Sequence, residues 1–110
     1  MFTRLKTEIA AQALIRRAQS AGAFALCLRR GDTDAGALHV VVRTLDGQSR
    51  LYSPIRNMAG ERAWMVSDAL PEADIDARCA KLHDRDPDIW IVEVEDRQGR
   101  HFLVEPIEER

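Results

Sequence analysis

Lysine is scarce: Lys6 and Lys81 are the only two among 16 basic residues. The 110-residue chain also has just two cysteines, four prolines and six aromatics. No apolar run approaches the ~20 residues that a membrane-spanning helix needs. Each scarcity removes a class of protein. Cys27 and Cys79 sit in apolar surroundings without metal-type spacing, so neither a disulfide framework nor a zinc site is expected. They read as free thiols buried in a reducing cytosol. With so few aromatics, the core must be built mainly from Leu, Ile, Val and Ala. Glu8, Gln12, Arg16 and Arg17 interrupt any signal-peptide stretch. The expectation is a cytoplasmic protein.

Catalytic signatures are missing too. No Ser lies in a G-x-S-x-G elbow, and His39, His83 and His101 form no short ligand pair. The loop Gly31-Asp32-Thr33-Asp34-Ala35-Gly36 lacks the G-K-[ST] ending of a phosphate loop, and its two aspartates repel phosphate. Gly22 follows a helix and precedes a strand, the reverse of the dinucleotide fingerprint. Cys27, in a strand among apolar residues, lacks the electropositive, exposed setting of a reactive thiol. No catalytic residue, metal or cofactor is therefore assigned.

What is present suits one folded domain over residues 1–110, 45% apolar and 31% charged. Net charge is −2, too small to demand a polyionic partner, but its distribution is uneven. Residues 1–30 hold six basic side chains against Glu8 alone, and residues 84–110 hold nine acidic against four basic. The two ends are expected to be neighbours, within the fold or across a dimer.

Residues 3–21 read as a helix, with Thr3 as N-cap and Gly22 just past the end. Phe2, Leu5, Ile9 and Ala13 point one way; Ala10, Leu14, Ala18 and Ala21 point another. A helix apolar over so much of its circumference is covered on more than one side, by a loop, another layer or another subunit. Strands are expected at 23–30, 38–44 and 50–53, the last ended by Pro54. A fourth, a candidate edge strand, is expected at 62–66. Asp46-Gly47 marks a hairpin. Pro71 stands in the first turn of a helix reaching about Asp84, with Ile75, Cys79 and Leu82 as its apolar stripe. Asp86, held extended by Pro87, precedes two more strands at 89–95 and 100–104, joined at 96–99.

The order α-β-β-β-β-α-β-β predicts an α+β fold: one mainly antiparallel sheet flanked by two helices. Consecutive apolar residues at Val40-Val41-Val42 and from Ile89 to Val92 imply cover on both faces, hence three layers.

Three functional readings follow. The first is a small non-catalytic interaction module, self-associating through residues 2–21. The second is a ligand, metal or enzymatic site on the sheet around Trp90, using Arg43, His39, His101, Glu93 and Glu95. It requires those side chains to converge on one concave surface. Within it, Glu93 and Glu95 share a strand face and either split their pKa values or simply form a solvated face paired with arginines such as Arg100. The third is nucleic-acid binding through Arg16, Arg17, Arg29 and Arg30, or a degenerate nuclease. The element order resembles that of restriction-endonuclease-like enzymes, but Glu93-Val94-Glu95 is not followed by the lysine that their metal site uses. Neither basic doublet forms a compact patch, so nucleic acid is the least favoured partner.

Several blocks taken together resemble a family of small bacterial proteins, domain of unknown function 1491. They are Leu5-Lys6-Thr7-Glu8-Ile9, Ala13-Leu14-Ile15-Arg16-Arg17-Ala18, Gly22-Ala23-Phe24-Ala25, Arg30-Gly31-Asp32, Tyr52-Ser53-Pro54, Asp86-Pro87-Asp88-Ile89-Trp90 and Glu93-Val94-Glu95-Asp96-Arg97. The resemblance covers nearly the whole chain. It carries over no activity, cofactor or catalytic residue. It implies a bulkier residue, often aromatic, where this chain has Ala10, so packing around the first helix differs here.

Overall fold

The computed structural model describes residues 5–108. Its first helix, α1 (Thr7–Ser20), stops where the glycine predicts. Gly22 adopts φ +87°. Its N–H donates to Gln19 O and that of Ala23 to Ala18 O, both at 3.0 Å, the paired bonds of a Schellman motif. At the other end Lys6 is the N-cap and its side chain makes no capping bond. Phe2 and Thr3, the expected start, lie outside the described residues. The 31–36 loop replaces the cap. Thr7 and Glu8 N–H donate to Asp34 O and Thr33 O at 3.2 and 3.0 Å, and Thr7 Oγ1 donates to Gly36 O at 2.7 Å.

The remaining elements are β1 (Phe24–Arg29), β2 (Leu38–Arg43), β3 (Gln48–Arg56), β4 (Arg62–Val66), β5 (Leu70–Pro71), α2 (Glu72–Arg85), β6 (Trp90–Glu95) and β7 (Ile107–Glu108). They form one sheet in the order β1-β6-β2-β3-β4-β7, with β5 paired to β3. The fold is α+β as expected. The sheet is mixed: β6 runs parallel to β2, and β7 parallel to β4, while the other pairs are antiparallel.

Three local expectations are corrected. β3 does not end at Pro54; it continues to Arg56, with Pro54 opposite Trp64. Trp64 N–H donates outward to Pro106 O, so this pair is not hydrogen-bonded and the proline nitrogen faces β2. The β2 ladder has already ended there, at Val40–Tyr52, so no bond is lost. Pro71 sits one place earlier than expected, at the N-cap of α2, because as part of β5 it pairs with Gln48. Finally, residues 100–104 are not a strand. The turn at 96–99 forms, closed by Gly99 N–H to Asp96 O at 2.9 Å. However, β6 has β1 on one side and β2 on the other. No edge remains for a returning strand, so the chain leaves the sheet and reaches β4 as β7.

Alternation along each strand sorts the core into two. Ala25, Val40, Val42, Tyr52, Trp64, Trp90, Val92 and Val94 face α1, meeting Ala11, Leu14 and Ala18. Val41, Leu51 and Ile91 face α2, meeting Ile75 and Cys79, with Ile89 and Leu82 beside them. The layers are therefore α1, sheet, α2. Fully buried Ile75 contributes roughly 2 kcal/mol by transfer from water. On β1 the small residues face α1, while Phe24 and Leu28 are 54% and 45% exposed. β1 is an edge strand, and α2 packs over β3 and β5 instead. β1 lies beside β6, so the basic and acidic ends of the sequence do adjoin.

One contact locks the sheet to its loops. Asp32 N–H donates to Asp88 O at 2.9 Å, and Trp90 N–H to Ala37 O at 2.8 Å. Trp90 Nε1–H donates to Asp32 O at 2.7 Å. The backbones approach so closely that a Cβ on Gly31 would lie 2.0 Å from Asp88 O. Gly31→Ala is expected to cost about 3 kcal/mol in urea unfolding. A loss below about 0.5 kcal/mol, the usual scale of a surface change, would contradict this clasp.

Candidate functional site

A single helix cannot cover this sheet. A helix is about 10 Å across, whereas six strands at about 4.8 Å spacing span roughly twice that. α1 lies over β1 and β6. Among the described residues, the far part of the same face, over β3 and β4, is covered by the strap of residues 100–106. Between helix and strap lies a cavity of about 390 Å³. Ala10, Ala13 and Leu14 wall it from the helix, with Leu5 just before the helix, Leu38, Pro54 and Trp64 face it from the sheet, and Leu103 and Val104 wall it from the strap. Arg17, Arg56, Arg62 and Glu105 also line it.

Polar contacts hold the strap. Arg100 chelates Asp96: its Nε donates to Oδ2 at 3.0 Å and its Nη2 to Oδ1 at 2.8 Å. Those bonds keep the Asp96 carboxyl below the usual range. The His101 ring rests against Tyr52, with centroids 5.3 Å apart. Its Nδ1 accepts Leu103 N–H at 2.8 Å. Phe102 takes φ +61°, unusual for a bulky residue, and its carbonyl accepts Arg17 Nε–H at 2.9 Å. Trp64 Nε1–H donates to Glu105 Oε1 at 2.9 Å.

The residues expected to gather around Trp90 are divided between the two faces. Trp90 is 2% exposed, on the α1 face with the Arg30 guanidinium 5.0 Å from its ring centroid. His101 is also on that side, against Tyr52. Arg43, His39, Glu93 and Glu95 are on the α2 face, because strand neighbours two apart share a side. Arg43 is the hub there. Its Nε donates to Glu93 Oε1, its Nη2 to Asp76 Oδ1 at 3.0 Å and its Nη1 to Ser49 Oγ at 3.3 Å. Glu72 Oε1 stands 3.7 Å away. This cluster fastens α2 to the sheet. Glu93 is buried in it, not solvated, and Arg100 serves Asp96 instead. Glu95 is partly exposed. Sheet pleating separates the set, so no shared concavity exists.

The four arginines expected of a nucleic-acid surface are likewise dispersed. Arg16 is exposed, Arg17 is on the cavity wall, and Arg30 pairs with Glu8 at 2.6 Å. Arg29 stands opposite Ile91, on the α2 face. Among the described residues no cluster of His, Cys, Asp and Glu is placed to hold a metal ion. Cys27 and Cys79 are unpaired, and burial raises both thiols above their ordinary pKa. No helix among the described residues is long and apolar enough to cross a membrane.

A family model described as protein of unknown function (DUF1491) matches residues 5–104. The chain belongs to that family. It is similar to a DUF1491 family protein from Caulobacter crescentus CB15, seen in a crystal structure with 48% identity and a TM-score of 0.89 over 96% of this chain and 100% of that one. An NMR structure of a DUF1491 family protein from the same organism gives 48% identity and 0.86, covering 97% and 99% of the two chains. The solution structure of protein Atu0922 from A. tumefaciens gives 32% identity and 0.80, covering 94% and 95%. No curated protein matches the chain.

In this DUF1491 chain the cavity residues escaped sequence reasoning, apart from the helix. The doubled apolar surface of α1 was the available signal: Ala10 and Leu14 of one direction and Ala13 of the other line the cavity. Arg56 and Arg62 flank the 57–61 turn symmetrically, which would have placed them side by side.

Buried His39 and half-buried His101 set a pH dependence. Burial lowers His39, partly countered by Asp86, and burial lowers His101. His39 Nδ1 lies 3.0 Å from Ser53 Oγ. As pH falls through about 6.5, the unfolded chain takes up these protons first. Stability is retained above that value and lost below it. Urea unfolding at about pH 7.5 and about pH 5.5 should show this loss, smaller in His39→Asn than in the wild type. An equal loss in both proteins would contradict the assignment to His39.

Proposed function

We propose that this DUF1491 chain is a single-domain, non-catalytic binding module of the bacterial cytosol, and that the cavity between α1 and the strap is its binding site. The observation that carries the reading is the cavity itself: about 390 Å³, walled by aliphatic side chains and Trp64, with arginines among its lining residues. Sites for small molecules are typically concavities of this size, apolar inside with a few polar groups that orient the guest. Two unpaired thiols suit a cytosolic setting.

Ala10 and Ala13 make room on the helix side, so enlarging either should close the site from within. N-phenyl-1-naphthylamine, a neutral apolar probe, should gain fluorescence saturably at one equivalent of protein. Ala10→Phe should remove that gain while leaving the circular dichroism spectrum intact, and Ala13→Leu should reduce it. Self-association through residues 2–21 is the competing reading, since Leu5 and Ile9 are 58% and 47% exposed. Light scattering that shows a dimer, together with no probe uptake, would overturn the cavity reading in favour of that one.

A further inference from the structure

The free edge of the sheet offers a second surface, apart from the cavity. We infer that two copies of the chain join there through β1, antiparallel about a two-fold axis at Leu26, to form one continuous sheet. β1 pairs with β6 on one side and has no strand on the other among the described residues. The direction of its backbone groups follows from β6. Trp90 N–H donates to Ala37 O and Asp96 N–H to Arg43 O, so the even-numbered residues of β6 bond to β2 and the odd-numbered ones to β1. Leu26–Glu93 and Phe24–Glu95 are therefore the hydrogen-bonded pairs, and the N–H and C=O groups of Ala25 and Cys27 point outward. Edge strands are commonly blunted by charge, proline or a bulge. Residues 23–28 carry no charge and no proline, and the bulge comes only after Cys27.

The edge is its own complement. A two-fold axis at Leu26 sets Ala25 against Cys27 of the second copy, and Cys27 against its Ala25, each pair exchanging both N–H···O bonds. The same axis sets Phe24 beside Leu28 of the second copy. Phe24 and Leu28 are 54% and 45% exposed because α2 packs over β3 and β5, and across the axis they cover each other. Charge agrees with this register. Arg29 and Glu95 both lie on the α2 face, and among the described residues neither forms an ion pair. Glu95 stands beside Phe24 and Arg29 follows Leu28, so the pairing brings each Arg29 toward the Glu95 of the other copy. The helices agree too. α1 lies over β1 and β6, so α1 and its copy would run two strand spacings apart, about 9.6 Å, which is the 8–10 Å separation of packed helices. Ala11, Leu14 and Ala18 of α1 face the sheet, and Ala10, Ala13 and Arg17 face the cavity. At 100° per residue the flank that remains, over the free edge, is Gln12, Ile15 and Gln19, all uncharged. Glu8 on that flank is already paired with Arg30.

The contact is small for a specific interface, so the expected affinity is modest. Sedimentation velocity of the full chain from about 5 µM to about 500 µM should show the mass double, with its midpoint in the tens of micromolar, roughly. Over the same range, hydrogen exchange at the outward amides of Ala25 and Cys27 should slow about fivefold, while the amides of Phe24 and Leu26, already bonded to β6, should not change. Phe24→Lys, at an exposed position, should weaken association at least about tenfold and leave the circular dichroism spectrum intact. Adding Leu28→Glu should recover most of that loss, because the two new charges face each other across the axis. Ile9→Lys, on the outer face of α1, should have no effect. A monomer at every concentration would overturn the inference. A dimer that withstands Phe24→Lys, or that Ile9→Lys disrupts, would overturn it in favour of a contact through the α1 surface. Failure of Leu28→Glu to rescue Phe24→Lys would overturn the register about Leu26. Uptake of the naphthylamine is expected from monomer and dimer alike, so the cavity reading stands or falls separately.

Discussion

The placement of β6 between β1 and β2 is the constraint on which the rest of the structure depends. It joins the second and third elements of the chain, β1 and β2, to a strand that arrives only after α2. The crossover makes β6 parallel to β2 and antiparallel to β1. Every residue from Trp90 to Val94 is then buried, and the strand divides its side chains between two cores. The clasp of the Gly31–Gly36 loop on Asp88 fixes the entry to β6. At the exit, Asp96 N–H donates to Arg43 O at 2.9 Å. Both ends of β6 are thus tied by backbone contacts that depend on position more than on side-chain identity.

That placement also produces the cavity. With both flanks of β6 occupied, the segment after the 96–99 turn has no strand to join. It crosses the α1 face instead, held at Asp96–Arg100, Tyr52–His101, Arg17–Phe102 and Trp64–Glu105. A strap held at points covers a sheet less completely than a helix does. The space left over β3 and β4 is the proposed binding site. On the opposite face, the buried Arg43–Glu93 pair orients α2. An ion pair in such a place returns little net stability over an apolar equivalent, because desolvation opposes the attraction. Its contribution is to fix where the helix sits, through Asp76 and Glu72 on α2 itself.

Much of this was legible in the amino-acid pattern, and for identifiable reasons. Gly22, Asp46-Gly47 and Pro87 act through local backbone geometry, so the ends and turns they mark appear where expected. Val40-Val41-Val42 showed that both faces are covered, because a strand alternates and each side needs a partner. The failures share one cause, pairing between distant segments. Residues 100–104 have the alternation of a strand, but nothing local says that β6 is already flanked. Pro54 looks like a strand end unless the β2–β3 ladder is known to end at Val40–Tyr52. The site was less visible than the fold. Glu93 and Arg43 are 50 positions apart in the chain and look like independent surface charges. The cavity has no motif, since it is defined by what α1 and the strap fail to cover; only the doubled apolar face of α1 hinted at it.

If β6 is the keystone, its amides exchange with solvent only through global unfolding. Native-state hydrogen exchange measured strand by strand tests this most directly. The account predicts that the amides of residues 91–95 are the slowest in the molecule, with opening free energies equal to the global unfolding value, and that those of β4 and β7 open at lower cost. Exchange from β6 as fast as from β4 would contradict it, because a strand that opens on its own cannot be what holds the two cores and the strap in place.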